Sequence, residues 1–294
     1  MNIRIISDMH TDVNAGKPLE LKDKDTFTLV AGDVSGNPIK ACEWLHDNVR
    51  NGIVVGGNHM VYNKMNMTVE SLREYFTMEM PPESNLTYLD CLATDGTFFK
   101  EVNGIMFLGS TLYTDYKLPL PSYFDSSSDE KTIMSNMLEG RRFLNDFRWG
   151  RVRKDGYADD DETEPLTPEH YLKWFNETLE KFDNKLMDVE HNSPGMSVVI
   201  VTHHCPSTKC IAPYYRDSYV NASFVSDLEW FIKKHPSIKL WACGHVHNRF
   251  VFNVGQCLVV ANPRGYCRAR EDGEWNQDLT VNSDVWQLIN KSED

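Results

Sequence analysis

Residues 2–10 read NIRIISDMH, an apolar run that leads directly into an aspartate and a histidine. Apolar runs of this length are typical of fully buried strands, and helical patterns at 40–49 and 224–234 lie between several of them. Strands that alternate with helices predict an α/β fold. The same order of apolar run and polar residues recurs at 27–33, 53–59, 198–204 and 238–247.

Each apolar run is thus followed by side chains that can bind a metal ion. These are Asp8 with His10, Asp33, Asn58 with His59, His203 with His204, and His245 with His247. Because the carboxyl ends of parallel strands meet at one edge of a sheet, we expect the five groups to converge there. Glycine precedes three of the groups and permits a sharp turn of the backbone.

Carboxylates, an amide and several imidazoles are the ligands that a borderline divalent cation prefers. Two cations held ~3.5 to 4 Å apart need one carboxylate that bridges them, and Asp33 is the candidate. Carboxylates and histidines buried at five successive strand ends would be costly without a cation, so a purely structural role is disfavoured. The sequence therefore predicts a two-metal centre.

Composition limits the possible functions. The chain has 294 residues, 41% of them hydrophobic and 25% charged, which is typical of a globular protein. Its 43 acidic and 30 basic side chains give a net charge of −13, which disfavours tight binding to nucleic acid or to an anionic membrane. There is no apolar run of ~20 residues. Seven cysteines without a CxxC pair, and a first strand with no leader before it, predict a cytoplasmic protein.

The segment from about 111 to 165 interrupts the alternation and is interpreted as a lid-like insertion in a single domain spanning 1–294. Six cations lie within fourteen residues, opposed only by Asp146. They could bind substrate phosphate, or they could form a solvated face paired with the acidic run 159–164. The six cations are Arg141, Arg142, Arg148, Arg151, Arg153 and Lys154.

The order and spacing of the five polar groups resemble those of the calcineurin-like metallophosphoesterase family, over about 1–110 and 195–262. The resemblance implies a two-sheet sandwich flanked by helices. It also implies a first metal held by Asp8, His10, Asp33 and His247, and a second held by Asp33, Asn58, His203 and His245. His59 would contact the phosphate or protonate the leaving oxygen. Met60 stands where the family commonly has an acidic residue, which puts the orientation or pKa of His59 in question.

The activity implied by the resemblance is phosphoester hydrolysis by in-line attack of a metal-bound hydroxide. The metals would be Mn, Fe, Zn or Ni, with Mn favoured. We expect a small phosphodiester or nucleotide-like substrate, and the alternatives are a nuclease, a Ser/Thr protein phosphatase and a non-catalytic scaffold stabilised by metal. Residues 32–37 lack the Asp-Arg-Gly of Ser/Thr protein phosphatases. The candidate substrate-binding residues are His204, Arg141, Arg142, Tyr215 and Arg216.

Overall fold

Two six-stranded sheets and a two-stranded ribbon account for the strands of the described residues. The computed structural model describes residues 1–16, 19–93, 97–119, 129–155, 157, 159–269 and 271–289. The predicted insertion at about 111–165 lies partly outside them. The ribbon pairs β7 (Arg151–Arg153) with β8 (Thr163–Pro165).

The first sheet has a parallel centre and an antiparallel edge. Its strands are β1 (Asn2–Ile6), β2 (Phe27–Ala31), β3 (Gly52–Val55), β4 (Leu86–Tyr88), β13 (Thr280–Asn282) and β14 (Gln287–Leu288). The spatial order is β14-β13-β1-β2-β3-β4, and the strands from β1 to β4 are parallel. All residues of β2 and β3 are buried, which explains why these strands appear in the sequence as continuous apolar runs.

The second sheet is also mixed, but it has an antiparallel strand at each edge. Its strands are β5 (Phe99–Val102), β6 (Ile105–Ser110), β9 (Ser197–Thr202), β10 (Ile238–Cys243), β11 (Phe250–Val254) and β12 (Cys257–Ala261). The order is β11-β12-β10-β9-β6-β5, with β12, β10, β9 and β6 parallel. The carboxyl ends of β9 and β10 carry the predicted histidines.

Six α-helices flank the sheets in the described part of the chain. They are α1 (Pro38–Asn48), α2 (Val69–Glu79), α3 (Asp129–Phe143), α4 (Asp146–Trp149), α5 (Pro168–Asn192) and α6 (Glu229–Lys234). Helix α1 begins at Pro38 because the side chain of Asn37 accepts a hydrogen bond from the Lys40 amide at 3.0 Å. Thr68 caps α2 in the same way, at 3.2 Å from the Ser71 amide.

Three apolar clusters hold these layers together. Ile5 and Leu29 of the first sheet pack with Phe107 and Val201 of the second in the central cluster. Two outer clusters pack helices α1 and α2 on the first sheet and helices α5 and α6 on the second. The predicted α/β sandwich of two sheets flanked by helices is confirmed.

The helix predicted at 224–234 is wrong in its first half, since α6 begins only at Glu229. The preceding residues pair instead with the segment after β9. Cys205 donates to the Phe224 carbonyl at 3.3 Å, Ser226 to Cys205 at 3.1 Å and Leu228 to Pro206 at 2.9 Å. Their backbone groups are thereby used in an extended pairing that the helical periodicity does not reveal.

Candidate metal centre

The predicted ligands meet at the carboxyl ends of five strands. Asp8 and His10 follow β1, Asp33 follows β2, Asn58 and His59 lie in a 3-10 turn (Asn58–Tyr62) after β3, His203 follows β9, and His245 and His247 follow β10. Five of these residues have positive φ: Asp8 (53°), His10 (44°), Asp33 (54°), His245 (70°) and His247 (51°). Such conformations cost about 1 to 3 kcal/mol each and concentrate at functional sites.

Glycines allow the loops to approach one another. A Cβ atom on Gly57 would lie 1.9 Å from Asp33 Oδ1, and one on Gly244 would lie 2.5 Å from Asp8 Oδ2. At these two positions glycine is required by the close approach of a carboxylate, whereas Gly32 has the positive φ (88°) that the predicted turn requires.

One group of possible ligands consists of Asp8, His10 and His247, whose donor atoms all lie within 4.8 Å of one another. His247 Nε2 is 3.4 Å from Asp8 Oδ1 and 3.0 Å from His10 Nε2. Both Asp8 oxygens also accept from the His245 amide, at 3.1 and 3.0 Å. These backbone hydrogen bonds fix the orientation of the carboxylate.

A second group consists of Asp33, His203 and His245, with donor atoms again within 4.8 Å. Asp33 Oδ1 accepts from the His59 amide at 2.9 Å, while Oδ2 is 3.3 Å from His203 Nε2 and 3.9 Å from His10 Nε2. One carboxylate oxygen therefore faces both groups. Asn58 Oδ1 lies 3.0 Å from His203 Nε2 and joins the second group.

The donor set fits divalent cations. Asp8 and Asp33 are 0% and 4% exposed, and the cost of burying two carboxylates falls sharply when cations pair with them. Among the described residues, His245 Nε2 is buried without a hydrogen-bond partner. Buried imidazole nitrogens rarely remain unsatisfied, and this one belongs to the group of Asp33 and His203, where a cation could bind it.

The charges of the two groups are strongly coupled. Burial raises the pKa of Asp33, but His203 and His59 outweigh it and hold that pKa well below the usual range. Burial lowers the pKa of His203, but Asp33 outweighs it and raises the value to about 9. For His247, hydrogen bonds to Asp8 and Glu271 overcome burial and raise the pKa to about 10. The buried carboxylates therefore stabilise positive charge at this edge of the sheets, here as protons on His203 and His247.

Comparison with known proteins identifies the family. The sequence profile of Metallophos, described as calcineurin-like phosphoesterase, matches residues 1–249. The chain belongs to the calcineurin-like phosphoesterase family. It is accordingly a hydrolase that uses divalent metal ions to cleave phosphoester bonds, as the motif resemblance implied.

One solved structure agrees with the fold of this phosphoesterase over nearly its whole length. Phosphopantetheinyl hydrolase from Mycobacterium tuberculosis is similar over 99% of the chain and 96% of its own, with 16% identity and a TM-score of 0.63. A dimetal phosphatase from Danio rerio matches over 89% of the chain and 86% of its own, with 12% identity and a TM-score of 0.46. A search of curated protein sequences finds no match. Within the described residues, no helix is long and apolar enough to cross a membrane.

Asp146, in helix α4 of the phosphoesterase, supports Asn58. Its Oδ1 accepts from Asn58 Nδ2 at 3.0 Å and from the hydroxyl of Tyr62, and its Oδ2 accepts from the hydroxyl of Tyr171 at 3.1 Å. Because Asp146 holds the amide nitrogen, the amide oxygen of Asn58 is turned toward His203. In the sequence, Asp146 is visible only as the one acidic residue within the cationic stretch 141–154. Its contact with Asn58 could not be predicted, because no local motif includes it.

Glu271 and Tyr266 support the other side of the centre and were also missed. Glu271 Oε2 is 2.7 Å from His247 Nδ1 and accepts from the Tyr266 amide at 2.8 Å. A carboxylate on the far nitrogen of a ligating histidine fixes its tautomer and orientation. Both residues lie beyond the five motifs, in a segment without regular strands, so spacing gave no signal.

His59 is held by Tyr266 rather than by a carboxylate from its neighbour in sequence. The Tyr266 hydroxyl lies 3.0 Å from His59 Nε2, and Asp33 Oδ2 is 3.9 Å from the same atom. Met60 is buried, with 4% exposure, and packs in the cluster beneath the first sheet. The orientation of His59, questioned because of Met60, is thus provided by a distant tyrosine.

A cavity of about 390 Å³ opens above the centre, and Asp33, His59 and Tyr215 are among its lining residues. Arg141, Arg142 and Arg216 are exposed, and none of them lines it. His204 is fully buried, with its ring 4.4 Å from that of His245, and its Nε2 has no hydrogen-bond partner among the described residues. Only Tyr215, of the five predicted substrate-binding residues, faces this cavity, and the substrate role of all five stays a prediction.

Proposed function

We propose that this phosphoesterase holds two divalent cations and hydrolyses a small phosphodiester or nucleotide-like substrate. The observation that carries the proposal is the position of Asp33. Its Oδ2 lies 3.3 Å from His203 Nε2 and 3.9 Å from His10 Nε2, between the two ligand groups. A carboxylate placed in this way is the bridge that a two-metal hydrolase requires.

The proposed ligands of each cation follow the two groups. Asp8, His10, Asp33 and His247 would hold the first, and Asp33, Asn58, His203 and His245 the second. When bound, the cations would lower the pKa of a water molecule and neutralise phosphoryl oxygens. Imidazole and amide donors leave enough positive charge at the site to attract a phosphate anion. Mn is the favoured metal, and Fe, Zn and Ni suit the same ligands.

His59 is the proposed acid of the reaction. Its ring lines the cavity, and its side chain is 13% exposed, so it is accessible to a bound substrate. Tyr266 fixes the ring through the 3.0 Å contact at Nε2. In this position His59 would contact a phosphoryl oxygen or donate a proton to the departing alkoxide.

The size and charge of the cavity support a small substrate over a nucleic acid. A volume of about 390 Å³ is at the lower end for small-molecule sites. A nuclease would need a continuous basic track, but no lysine or arginine is found among the described residues that line the cavity. Arg153, one of the six cations of 141–154, instead pairs with Glu74 at 2.6 Å and Asp160 at 3.0 Å.

We propose a cytoplasmic location and a single domain spanning 1–294. The location is supported by the cysteines, since all seven are buried and no disulfide joins any of them in the described part of the chain. Phe143 at the end of helix α3, and Leu144 and Asn145 between α3 and α4, lie within the predicted insertion and line the cavity, which suits a lid.

The test is a panel of mono- and diesters assayed with added Mn²⁺. The expected result is turnover of small diesters, little activity on single-stranded or duplex nucleic acid, and little on phosphopeptides. Turnover of phosphopeptides alone would favour a protein phosphatase. A folded, metal-loaded protein without activity on any ester would instead be the scaffold.

A further inference from the structure

The cavity above the candidate metal centre is lined both by proposed metal ligands and by apolar residues. Its floor is formed by Asp33, His245 and His247, whereas its walls are largely apolar. The wall residues are Phe143, Leu144, Ile211, Ala212, Val225 and Val246. These come from the end of helix α3 and from the loops after β9 and β10, so three separate parts of the chain form one apolar surface.

The walls carry no positive charge in the part of the chain that the structure describes. The carboxylates that line the cavity, Asp33 and Glu271, are negative. Arg216 follows Tyr215 in sequence but is exposed and outside the lining. A second phosphate or a carboxylate in the outer cavity would lose water without gaining a cation, which is unfavourable.

Several polar groups of the outer cavity already have partners. Asn221 Nδ2 donates to the carbonyls of Tyr215 and Arg216 at 2.7 and 3.2 Å, and the Tyr214 hydroxyl donates to Asn248 Oδ1 at 2.8 Å. These groups hold the loop after β9 in place instead of presenting free donors to a ligand. Phe143 and Tyr215, each 52% exposed, leave apolar surface at the mouth.

We infer that the group esterified to the reacting phosphate is uncharged and apolar, an alkyl or aryl substituent, rather than a nucleoside di- or triphosphate. This inference rests on the proposed function, because it assumes that the phosphate lies over the metal ligands. The inference limits the substrate class to esters whose negatively charged phosphate lies over the metal ligands and whose hydrocarbon substituent contacts the apolar lining residues. Burial of that hydrocarbon supplies the affinity, at about fourfold for each methylene group fully removed from water.

The first test measures binding without turnover. Methylphosphonate, butylphosphonate and 2-carboxyethylphosphonate are titrated calorimetrically into the Mn²⁺-loaded protein. Butylphosphonate has three more methylene groups than methylphosphonate. If about half of their surface is buried in the cavity, butylphosphonate should bind roughly tenfold more tightly. The carboxyethyl compound, similar in length but charged, should bind no more tightly than methylphosphonate.

Variants test whether the preference for butylphosphonate arises at the apolar residues of this cavity. Phe143→Ala and Tyr215→Ala remove exposed aromatic rings from the cavity mouth, and each should reduce the tenfold preference to about threefold or less. Trp230→Ala is the matched control, because Trp230 is 56% exposed on helix α6 and does not line the cavity. It should keep the full preference. Equal binding of the three phosphonates, or tighter binding of the carboxyethyl compound, would overturn the inference.

A turnover assay separates this inference from the proposed function. Methyl and butyl 4-nitrophenyl phosphate share a leaving group and differ only in the apolar substituent. Hydrolysis of both with equal kcat/KM, together with equal phosphonate binding, would refute the apolar site and leave the phosphodiesterase proposal intact. Preferred binding of butylphosphonate without hydrolysis of either ester would refute the phosphodiesterase proposal and support the apolar site.

Discussion

Replacing Asp146 with alanine tests whether a residue outside the five motifs positions a metal ligand. Asp146 is fully buried and accepts hydrogen bonds from Asn58, Tyr62 and Tyr171. Asp146→Ala removes the acceptor of three donors, of which Asn58 and Tyr171 are buried and Tyr62 is half-buried, at about 1 to 3 kcal/mol each before relaxation. The three losses are not fully additive, because the hydrogen bonds share one carboxylate and water can enter the space that it leaves. We therefore expect the free energy of unfolding to fall by about 3 to 5 kcal/mol.

The same substitution should weaken metal binding. Asn58 loses the partner that turns its amide oxygen toward His203, and loss of such a partner typically lowers metal affinity by about 10- to 100-fold. Mn²⁺ affinity would be measured by competition with a chelating indicator. Unfolding by urea would be followed separately in excess chelator, so that metal binding does not contribute to stability.

Two controls distinguish positioning from general destabilisation. Asp146→Asn keeps one carbonyl oxygen that can accept from Asn58 and Tyr62, so it should recover most of the metal affinity. Tyr171→Phe removes only the 3.1 Å contact at Oδ2, so it should lower stability by about 1 kcal/mol and leave Mn²⁺ affinity unchanged. A folded Asp146→Ala protein that binds Mn²⁺ as tightly as the wild type would refute the positioning role.

Two further predictions concern the acid and the ligands. His59→Asn should keep the metal and lower kcat by about 10² to 10⁴-fold for alkoxide leaving groups, with a much smaller loss for 4-nitrophenoxide, which needs no proton. An equal loss on both substrates, measured in steady state, would argue against an acid. His203 and His247, with pKa values raised to about 9 and about 10, hold protons at pH 7 in the metal-free protein, so metal binding should release about two protons and tighten as pH rises toward 9. Calorimetry in buffers of different ionisation enthalpy would measure this release, and a value near zero would contradict it.

The convergence of the proposed ligands could be predicted from the sequence because each one lies just after a buried strand. The parallel order of β1, β2 and β3, and of β9 and β10, places those strand ends at one edge. The positions of the apolar runs and of the polar residues that follow them were therefore enough to predict where the centre lies. Asp33 and Asn58 lie far from His203 in sequence, yet a side-chain oxygen of each is within 3.3 Å of His203 Nε2.

The supporting residues could not be predicted, since tertiary packing alone brings them to the centre. Asp146 reaches Asn58 across 88 residues, and Tyr266 reaches His59 across 207. Neither lies at a strand end nor within a periodic pattern. The same reason explains the error at 224–234, where pairing with the segment after β9 replaced the first turns of a helix.

The central claim is that Asp33 bridges two divalent cations, and metal content measures it most directly. Wild-type protein and Asp33→Asn would each be loaded with excess Mn²⁺ and desalted. Their metal content would be measured by inductively coupled plasma mass spectrometry, and circular dichroism would show that both are folded. We predict about two Mn per chain in the wild type and loss of metal together with activity in Asp33→Asn. Two Mn retained by folded Asp33→Asn, or at most one bound by the wild type, would contradict the account.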